Sequence, residues 1–466
     1  MIGNSTIHWF TIHELIATLG LVIYVMASHT LQIRRSPSAA IAWVVALLLL
    51  PYVALPLYLT FGQRKLQVCR LPTTRRALEG QDPGVDTLAG RARQLASIMG
   101  LPAEAGFHHL NLHADGRQAL RALQQMIDQA TVSIDICAFQ FSGDAVGAEM
   151  CARLARRARE GIRVRVLVDG LGNYLGRRCD FKSLSAAGAQ VAWFVPPLSN
   201  PMRGRSNLRN HRKMVISDSQ RLWSGGRNIA AQYFTDRGGH AWIDLTFDLC
   251  GELAFQAQQQ FEHDWTFATQ GEAWVAKAAP PAPALPATHS SGQLISSGPD
   301  QKDDTFYTLL VSSFFLARQR ILAVTPYFVP DPTLLMSLTL AVRRGVHVDL
   351  VLPRKSNHRL ADMARHRALR ELSAAGARVW LLPEMMHAKL VVIDDEVALA
   401  GSANLDQRSL FINYELMVAF YGKNDVRLFA DWAASCLPEA ELYQARAPRL
   451  WQEIAEGMLL WLAFQL

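Results

Sequence analysis

Two short stretches of this chain carry the same chemically capable side chains in the same order. The first reads His211-Arg-Lys213-Met-Val-Ile-Ser-Asp218 and, after six residues, Gly225-Gly226-Arg-Asn228. The second reads His387-Ala-Lys389-Leu-Val-Val-Ile-Asp394 and, again after six residues, Gly401-Ser402-Ala-Asn404. Side chains alternate along an extended strand, so His and Lys two positions apart share a face while the residue between them points away. Each stretch therefore offers an imidazole beside an ammonium, then an apolar run that continues as a buried strand. The glycine turn brings Asn228 or Asn404 back toward the same edge.

That set suits a phosphodiester. Lys213, Lys389, Asn228 and Asn404 can hold non-bridging oxygens as negative charge builds, and a neutral imidazole can attack phosphorus. A second histidine, held as imidazolium, can protonate the leaving oxygen, and opposite protonation states require two copies. A single His-x-Lys would read as a surface histidine; two complete copies at matching positions do not. Metal binding is not expected, because each histidine has a cationic neighbour and neither half offers a second clustered ligand. The two turns differ at one position, Gly226 against Ser402. A hydroxyl donor is missing from the first half, so phosphate contacts are expected to be asymmetric.

The elements that must position these residues are themselves duplicated. Val132 to Phe139 reads as a strand, an Ala/Arg-rich helix follows, and Gly161-Ile-Arg-Val-Arg-Val-Leu-Val-Asp169 starts the next strand. Ile321 to Phe328, a helix, and Gly345-Val-His-Val-Asp-Leu-Val-Leu-Pro353 repeat the order. Ser185-Ala-Ala-Gly-Ala-Gln-Val191 recurs as Ser373-Ala-Ala-Gly-Ala-Arg-Val379. The fold class is α/β, with two tandem α/β repeats forming one bilobal catalytic unit. The divisions are an N-terminal membrane segment over 1–65, an Arg-rich connector over 66–105, a first repeat over 106–275, an Ala/Pro/Ser-rich linker over 276–297, and a second repeat over 298–466.

At the N-terminus, residues 15–33 are almost wholly apolar and 39–61 carry no charge. Each is long enough to cross about 30 Å of hydrocarbon as a helix, so a transmembrane hairpin is expected, turning at Arg34 to Ser38. No Lys or Arg precedes the first run and Glu14 stands at its entrance, which argues against a cleaved leader. Arg34 and Arg35 favour a cytoplasmic turn, whereas Arg64, Lys65, Arg70, Arg75 and Arg76 favour a cytoplasmic catalytic side, and the longer basic flank prevails. Met458 to Leu466 is apolar but too short to span; it either packs on the core or lies at the membrane interface. The net charge of +7 suits an anionic partner, nucleic acid or an acidic lipid surface. The six cysteines, Cys69, Cys137, Cys151, Cys179, Cys250 and Cys436, are scattered without zinc spacing and read as reduced or incidental. Arg203, Arg205 and Arg209 before His211 line an entrance or form a solvated loop.

The paired motifs resemble the signature of the phospholipase D superfamily, His-x-Lys-x4-Asp followed by a Gly-Gly/Ser-x-Asn turn. Within it the chain is similar to bacterial cardiolipin synthases. That narrower resemblance rests on Ala42-Trp43, Tyr58-Leu-Thr-Phe-Gly62, Leu208-Arg-Asn-His-Arg-Lys-Met214, Thr325-Pro-Tyr-Phe-Val-Pro330, Asn404-Leu-Asp-Gln-Arg-Ser409 and Asn413-Tyr-Glu-Leu416. It implies two phospholipase D-like repeats and a phosphatidyl-histidine intermediate without metal or organic cofactor. His211 would be the nucleophile and His387 the general acid and then base. Lys213, Asn228, Lys389, Ser402 and Asn404 would hold phosphate, and Asp218 and Asp394 would be supporting carboxylates. Glu415 matches the acid that orients a catalytic imidazole after the second motif, and Asp244 is the candidate after the first, with a surface salt bridge as its other reading. The implied reaction joins two phosphatidylglycerols with release of glycerol, in a multi-pass protein of the bacterial inner membrane that uses no nucleic acid. Transfer with phosphatidylethanolamine or a free alcohol, hydrolysis, and a non-catalytic lipid-binding scaffold are the competing readings. Oligomeric state is not legible in the sequence.

Overall fold

The computed structural model describes residues 3–30, 37–62, 65, 86–174, 179–196, 207–235, 242–270 and 290–462. The first apolar run forms one helix, Gly3–Thr30, whose segment Thr11–Ser28 is long and apolar enough to cross a membrane. The second run, expected as one helix, forms two, Pro37–Leu49 and Pro51–Phe61. Leu50 leaves the helical region at φ −135° and ψ 52°, and Pro51 restarts a helix at its first turn, where a missing N–H has no intrahelical partner to lose. Two shorter helices packed against the first thus stand where a single second helix was expected. Tyr24, Leu47, Ala54 and Tyr58 are buried where the three meet. Arg34, Arg35, Arg64, Arg70, Arg75 and Arg76, on which the orientation argument rested, lie outside the described residues.

The strands of the first half are β1 (Ala105–His113), β2 (Ser133–Ala138), β3 (Arg163–Asp169), β4 (Gln190–Phe194), β5 (Met214–Ser217), β6 (Arg221–Gly225) and β7 (Thr246–Gly251). Those of the second half are β8 (Ser290–Ser297), β9 (Arg320–Val324), β10 (Phe328–Val329), β11 (His347–Pro353), β12 (Arg378–Leu382), β13 (Leu390–Ile393), β14 (Val397–Gly401), β15 (Leu405–Asp406), β16 (Glu415–Phe420) and β17 (Glu441–Leu442). All but β10 and β15 join one 15-stranded sheet, in the order β17-β12-β11-β9-β13-β14-β16-β8-β1-β7-β6-β5-β2-β3-β4. Read outward from the central β8/β1 pair, the first seven strands of each half follow the same order, which is the duplication expressed as topology, and β17 adds an edge strand to the second half. The central pair is antiparallel, with Ala105 opposite Gly292 and Phe107 opposite Ser290.

Composition concealed two elements. Residues 290–297, assigned to the linker, are β8, paired on both sides within the sheet. The connector contains the helix Leu88–Ile98, N-capped by Thr87, which packs on the second half beside Leu309, Leu310 and Phe314. Helices cover both sheet faces. Glu252–Gln270 and Lys423–Ser435 share one core that draws side chains from both halves, among them Phe247, Phe261, Phe420 and Phe429. On the other face, Gly116–Gln129 and Ala145–Arg159 cover the first half, and Thr305–Leu316, Pro332–Arg343 and His366–Ala375 the second. The strands alternate accordingly: Ile134, Ile136 and Ala138 enter one core and Cys137 the other. Cys151 and Cys179, read as reduced or incidental, are instead joined as a disulfide beside that first-half helical layer.

Candidate active site

Each site stretch ends in a β-hairpin. β5 turns into β6 at Asp218 and Ser219, φ 55° and 56°, and β13 into β14 at Asp394 and Asp395, φ 51° and 55°. Two central residues with positive φ define the turn whose twist matches the strands, and Asp tolerates that conformation. Asp218 accepts the backbone N–H groups of Thr131, Val132 and Ser133 at 2.9, 2.7 and 2.9 Å. Asp394 does the same for Arg318, Gln319 and Arg320 at 2.6, 2.7 and 2.9 Å. Burial pulls the Asp218 carboxyl upward, but these N–H donors outweigh it and hold the group below its ordinary value. The two aspartates expected as supporting carboxylates therefore sit at the turn end of their strands and tie the hairpin to the start of β2 or β9. The histidines and lysines are at the opposite end.

There the halves exchange partners. Asn210 bridges Tyr414, with the His211 N–H donating to the Tyr414 carbonyl at 2.9 Å. Met386 bridges Ile243, with the His387 N–H donating to the Ile243 carbonyl at 2.7 Å. One residue further along each bridge stands the acid. His211 Nδ1 lies 2.9 Å from Glu415 Oε1, and His387 Nδ1 lies 2.7 Å from Asp244 Oδ2. Both carboxylates are fully buried, so Asp244 is no surface salt bridge. With Nδ1–H donating to a carboxylate, the Nε2 lone pair is left for chemistry.

Lys213 Nζ donates to the His211 carbonyl at 2.8 Å, and Lys389 to the His387 carbonyl, with its ammonium also 3.1 Å from His387 Nε2. Burial lowers all four groups. His211 falls to about 4, although Glu415 opposes the shift, and His387 to about 3, where the Lys389 charge adds to burial and Asp244 opposes. Lys213 falls to about 8 and Lys389 to about 7, partly restrained by Glu415 and Asp244. Desolvation drives these shifts because it penalises the charged form.

The amides are more committed than the motif suggests. Asn228 Nδ2 donates to the Tyr233 hydroxyl at 2.8 Å, and its Oδ1 accepts the Gln140 N–H at 3.3 Å. Asn404 keeps a buried Oδ1 without a hydrogen-bond partner. Ser402, expected on phosphate, donates to Glu415 Oε2 at 2.5 Å and accepts the Leu416 N–H at 2.9 Å. The Gly226/Ser402 difference follows from the acids: a Cβ at Gly226 would collide with the Asp244 carboxylate, whereas the longer Glu415 accepts a hydroxyl at the matching place. The asymmetry thus falls on the carboxylate supports. Arg209, expected at an entrance or in a solvated loop, is buried and donates to the Val195 carbonyl at 3.0 Å; Arg203 and Arg205 lie outside the described residues.

Neighbours that the motifs did not reveal complete the site. Phe139 meets the His211 ring edge-on at 5.1 Å between centroids, and Tyr233 and Trp242 lie 5.1 and 5.5 Å from His387. Arg212, between His211 and Lys213, points away as alternation requires and is fully buried. Its guanidinium donates to the Glu415 carbonyl at 3.1 Å and pairs with Asp264. Trp242 is adjacent in sequence to Ile243-Asp244, but nothing local marks Phe139 or Tyr233.

The family described as "Cardiolipin synthase, PLD-like domain" matches residues 123–265 and 310–437, more than half of the chain. The chain belongs to this family. Both His-x-Lys stretches, both Asn turns and both orienting acids fall inside the matched residues, and "Phospholipase_D-nuclease N-terminal" matches 16–63. Cardiolipin synthase A of Pseudomonas aeruginosa is 30% identical over 88% of this chain and 88% of its own length. The major cardiolipin synthase of Bacillus subtilis is 30% identical over 83% of this chain and 85% of its own. The phosphatidylserine synthase of Haemophilus influenzae matches in structure with a TM-score of 0.60 at 14% identity, over 82% of this chain and 100% of that one, which is a likeness of fold. The duplicated cardiolipin synthase-type domain accounts for the strand order repeated about the β8/β1 pair.

Proposed function

We propose that the chain is a cardiolipin synthase: it moves a phosphatidyl group from one phosphatidylglycerol to the hydroxyl of another and releases glycerol. The observation that carries this reading is the pair of imidazoles, each held at Nδ1 by a buried carboxylate of the other half and flanked by a buried ammonium. With both histidines neutral, the charges of Asp244 and Glu415 balance those of Lys213 and Lys389. A phosphodiester monoanion entering this site is balanced by one further proton, which makes one histidine an imidazolium while the other stays a nucleophile.

His211 Nε2 attacks phosphorus and the bond to the glycerol oxygen breaks, with His387 delivering its Nε2 proton to that oxygen. Glu415 stabilises the cationic phosphatidyl-imidazole through Nδ1–H, as Asp244 stabilises imidazolium at His387. The hydroxyl of the second phosphatidylglycerol then gives its proton to His387 Nε2 and attacks phosphorus, freeing His211. Lys213 and Lys389 hold the non-bridging oxygens, with the amides of Asn228 and Asn404 beside them. No cofactor enters the scheme.

Both substrates reside in a bilayer, and the reading extends to a bacterial inner-membrane protein. Gly3–Thr30 supplies one crossing, and Pro37–Leu49 with Pro51–Phe61 returns the chain. The test is to incubate purified, detergent-solubilised protein with labelled phosphatidylglycerol, with and without phosphatidylethanolamine or ethanolamine, and identify the products. Cardiolipin and glycerol from phosphatidylglycerol alone support the synthase. Phosphatidic acid instead makes it a hydrolase, and a product formed only with the second lipid or alcohol makes it a different phosphatidyltransferase.

A further inference from the structure

The C-terminal helix, Leu450–Leu462, is not used by the chemistry above, yet it carries an apolar face open to solvent. Leu450, Trp451 and Ile454 are 74%, 63% and 57% exposed, and their spacing places them on one side of a helix. Glu456, on the opposite side, is buried and paired with Arg370 of the helix His366–Ala375, so this orientation is fixed. The neighbouring helix Arg359–Ala364 packs against it and exposes Leu360 and Met363.

The position of this face in the sheet gives it meaning. Leu390, immediately after Lys389, pairs with Val324 at the C-terminal end of β9. Parallel β11 ends on the same edge, and Arg365 donates to the Pro353 and Arg354 carbonyls at 2.9 and 2.8 Å, holding the helix Arg359–Ala364 beside it. The chain leaving the N-terminal helices attaches to that edge too. Lys65 reaches Asp304 at 2.8 Å and the Gln301 carbonyl at 3.0 Å, just beyond Ser297, the partner of Glu415 in the sheet. Lys355, Arg359, Arg446 and Arg449, at or within four residues before the starts of these two helices in sequence, are exposed, against one exposed acid on the C-terminal helix, Glu453.

We propose that the C-terminal helix, with Arg359–Ala364, is a second membrane contact: it lies in the interface of an anionic bilayer and, with the N-terminal helices, sets the catalytic edge against the lipid surface. The inference rests on the membrane-enzyme reading. Exposed Leu, Trp and Ile enter the headgroup boundary, and a basic rim meets anionic lipid, which favours the bilayer over a second copy of a chain carrying the same positive rim.

The test uses the full chain reconstituted in vesicles of phosphatidylcholine and phosphatidylglycerol. An environment-sensitive fluorophore is attached through Ile454→Cys, with identically treated parent protein as background for its own thiols. The expected result is blue-shifted emission, quenched several-fold more by nitroxide on lipid acyl chains than by a water-soluble nitroxide, and returned to aqueous emission by Leu450→Glu with Trp451→Glu. Quenching by the aqueous nitroxide alone overturns the proposal, and shielding from both quenchers overturns it in favour of a contact between copies. No turnover is needed, so loss of transferase activity with lipid quenching retained counts against the synthase reading and not against this one.

Discussion

His211 is oriented by Glu415, 204 positions away, and His387 by Asp244, 143 positions away, so each imidazole depends on the other half of the chain. Replacing either acid by its amide removes the acceptor that fixes the tautomer and steadies imidazolium. Glu415→Gln and Asp244→Asn are each expected to lower kcat by about 10²- to 10⁴-fold with little change in folding, measured by lipid turnover and thermal melting. Equal activity in either variant would remove the carboxylates from the account. The shifted groups also set a pH dependence. On the proposed mechanism, His211 in the free enzyme loses its nucleophilic form as pH falls through about 4. Lys389 and Lys213 lose the charge proposed to hold phosphate as pH rises through about 7 and then about 8. A profile of kcat/KM should fall on both sides, the alkaline loss appearing mainly in KM; a rate still rising above these values contradicts the lysine assignment. The motif pairs were legible because His and Lys are local in sequence and repeated. The crossing was not, because no local pattern records which strand a bridge will choose.

At the scale of elements, the Asp of His-x-Lys-x4-Asp belongs to a turn. The four-residue strands β5 and β13 separate it from the site, and its carboxylate gathers three backbone N–H groups from the start of β2 or β9. Asp218→Ala leaves those donors unmatched and forces a non-Asp residue to hold φ 55°. A loss of about 1–3 kcal/mol in denaturant unfolding is expected, with kcat of the folded fraction near the parent's. A large kcat defect at parental stability would return Asp218 to the chemistry. The strand and helix alternation and the order of the repeated blocks were readable from periodicity, whereas β8 was not. Ser290-Ser-Gly-Gln-Leu-Ile-Ser-Ser297 has the composition of a linker, and only its central place between β1 and β16 makes it a strand. Tertiary pairing overrides local propensity in such a segment. Pro51 is the converse case: the break was written in the sequence, but a wholly uncharged run from 39 to 61 concealed it behind a length suited to one span.

For the whole molecule, the duplication yields one site. The sheet runs unbroken through β8/β1, a shared core crosses it, and each half supplies a His-x-Lys to one side and an orienting acid to the other. On the proposed mechanism such a chain cannot retain half its activity when half its histidines are removed, because the missing imidazole is needed in the same turnover as the remaining one. The most direct measurement is therefore the phosphatidylglycerol turnover of His211→Ala, His387→Ala and the double variant, each checked for parental melting. The account predicts that either single variant loses at least about 10³-fold and that the double variant is scarcely worse, the non-additivity of groups acting as a unit. A single variant that keeps a substantial fraction of the parent rate, or losses that simply multiply, would contradict a composite site.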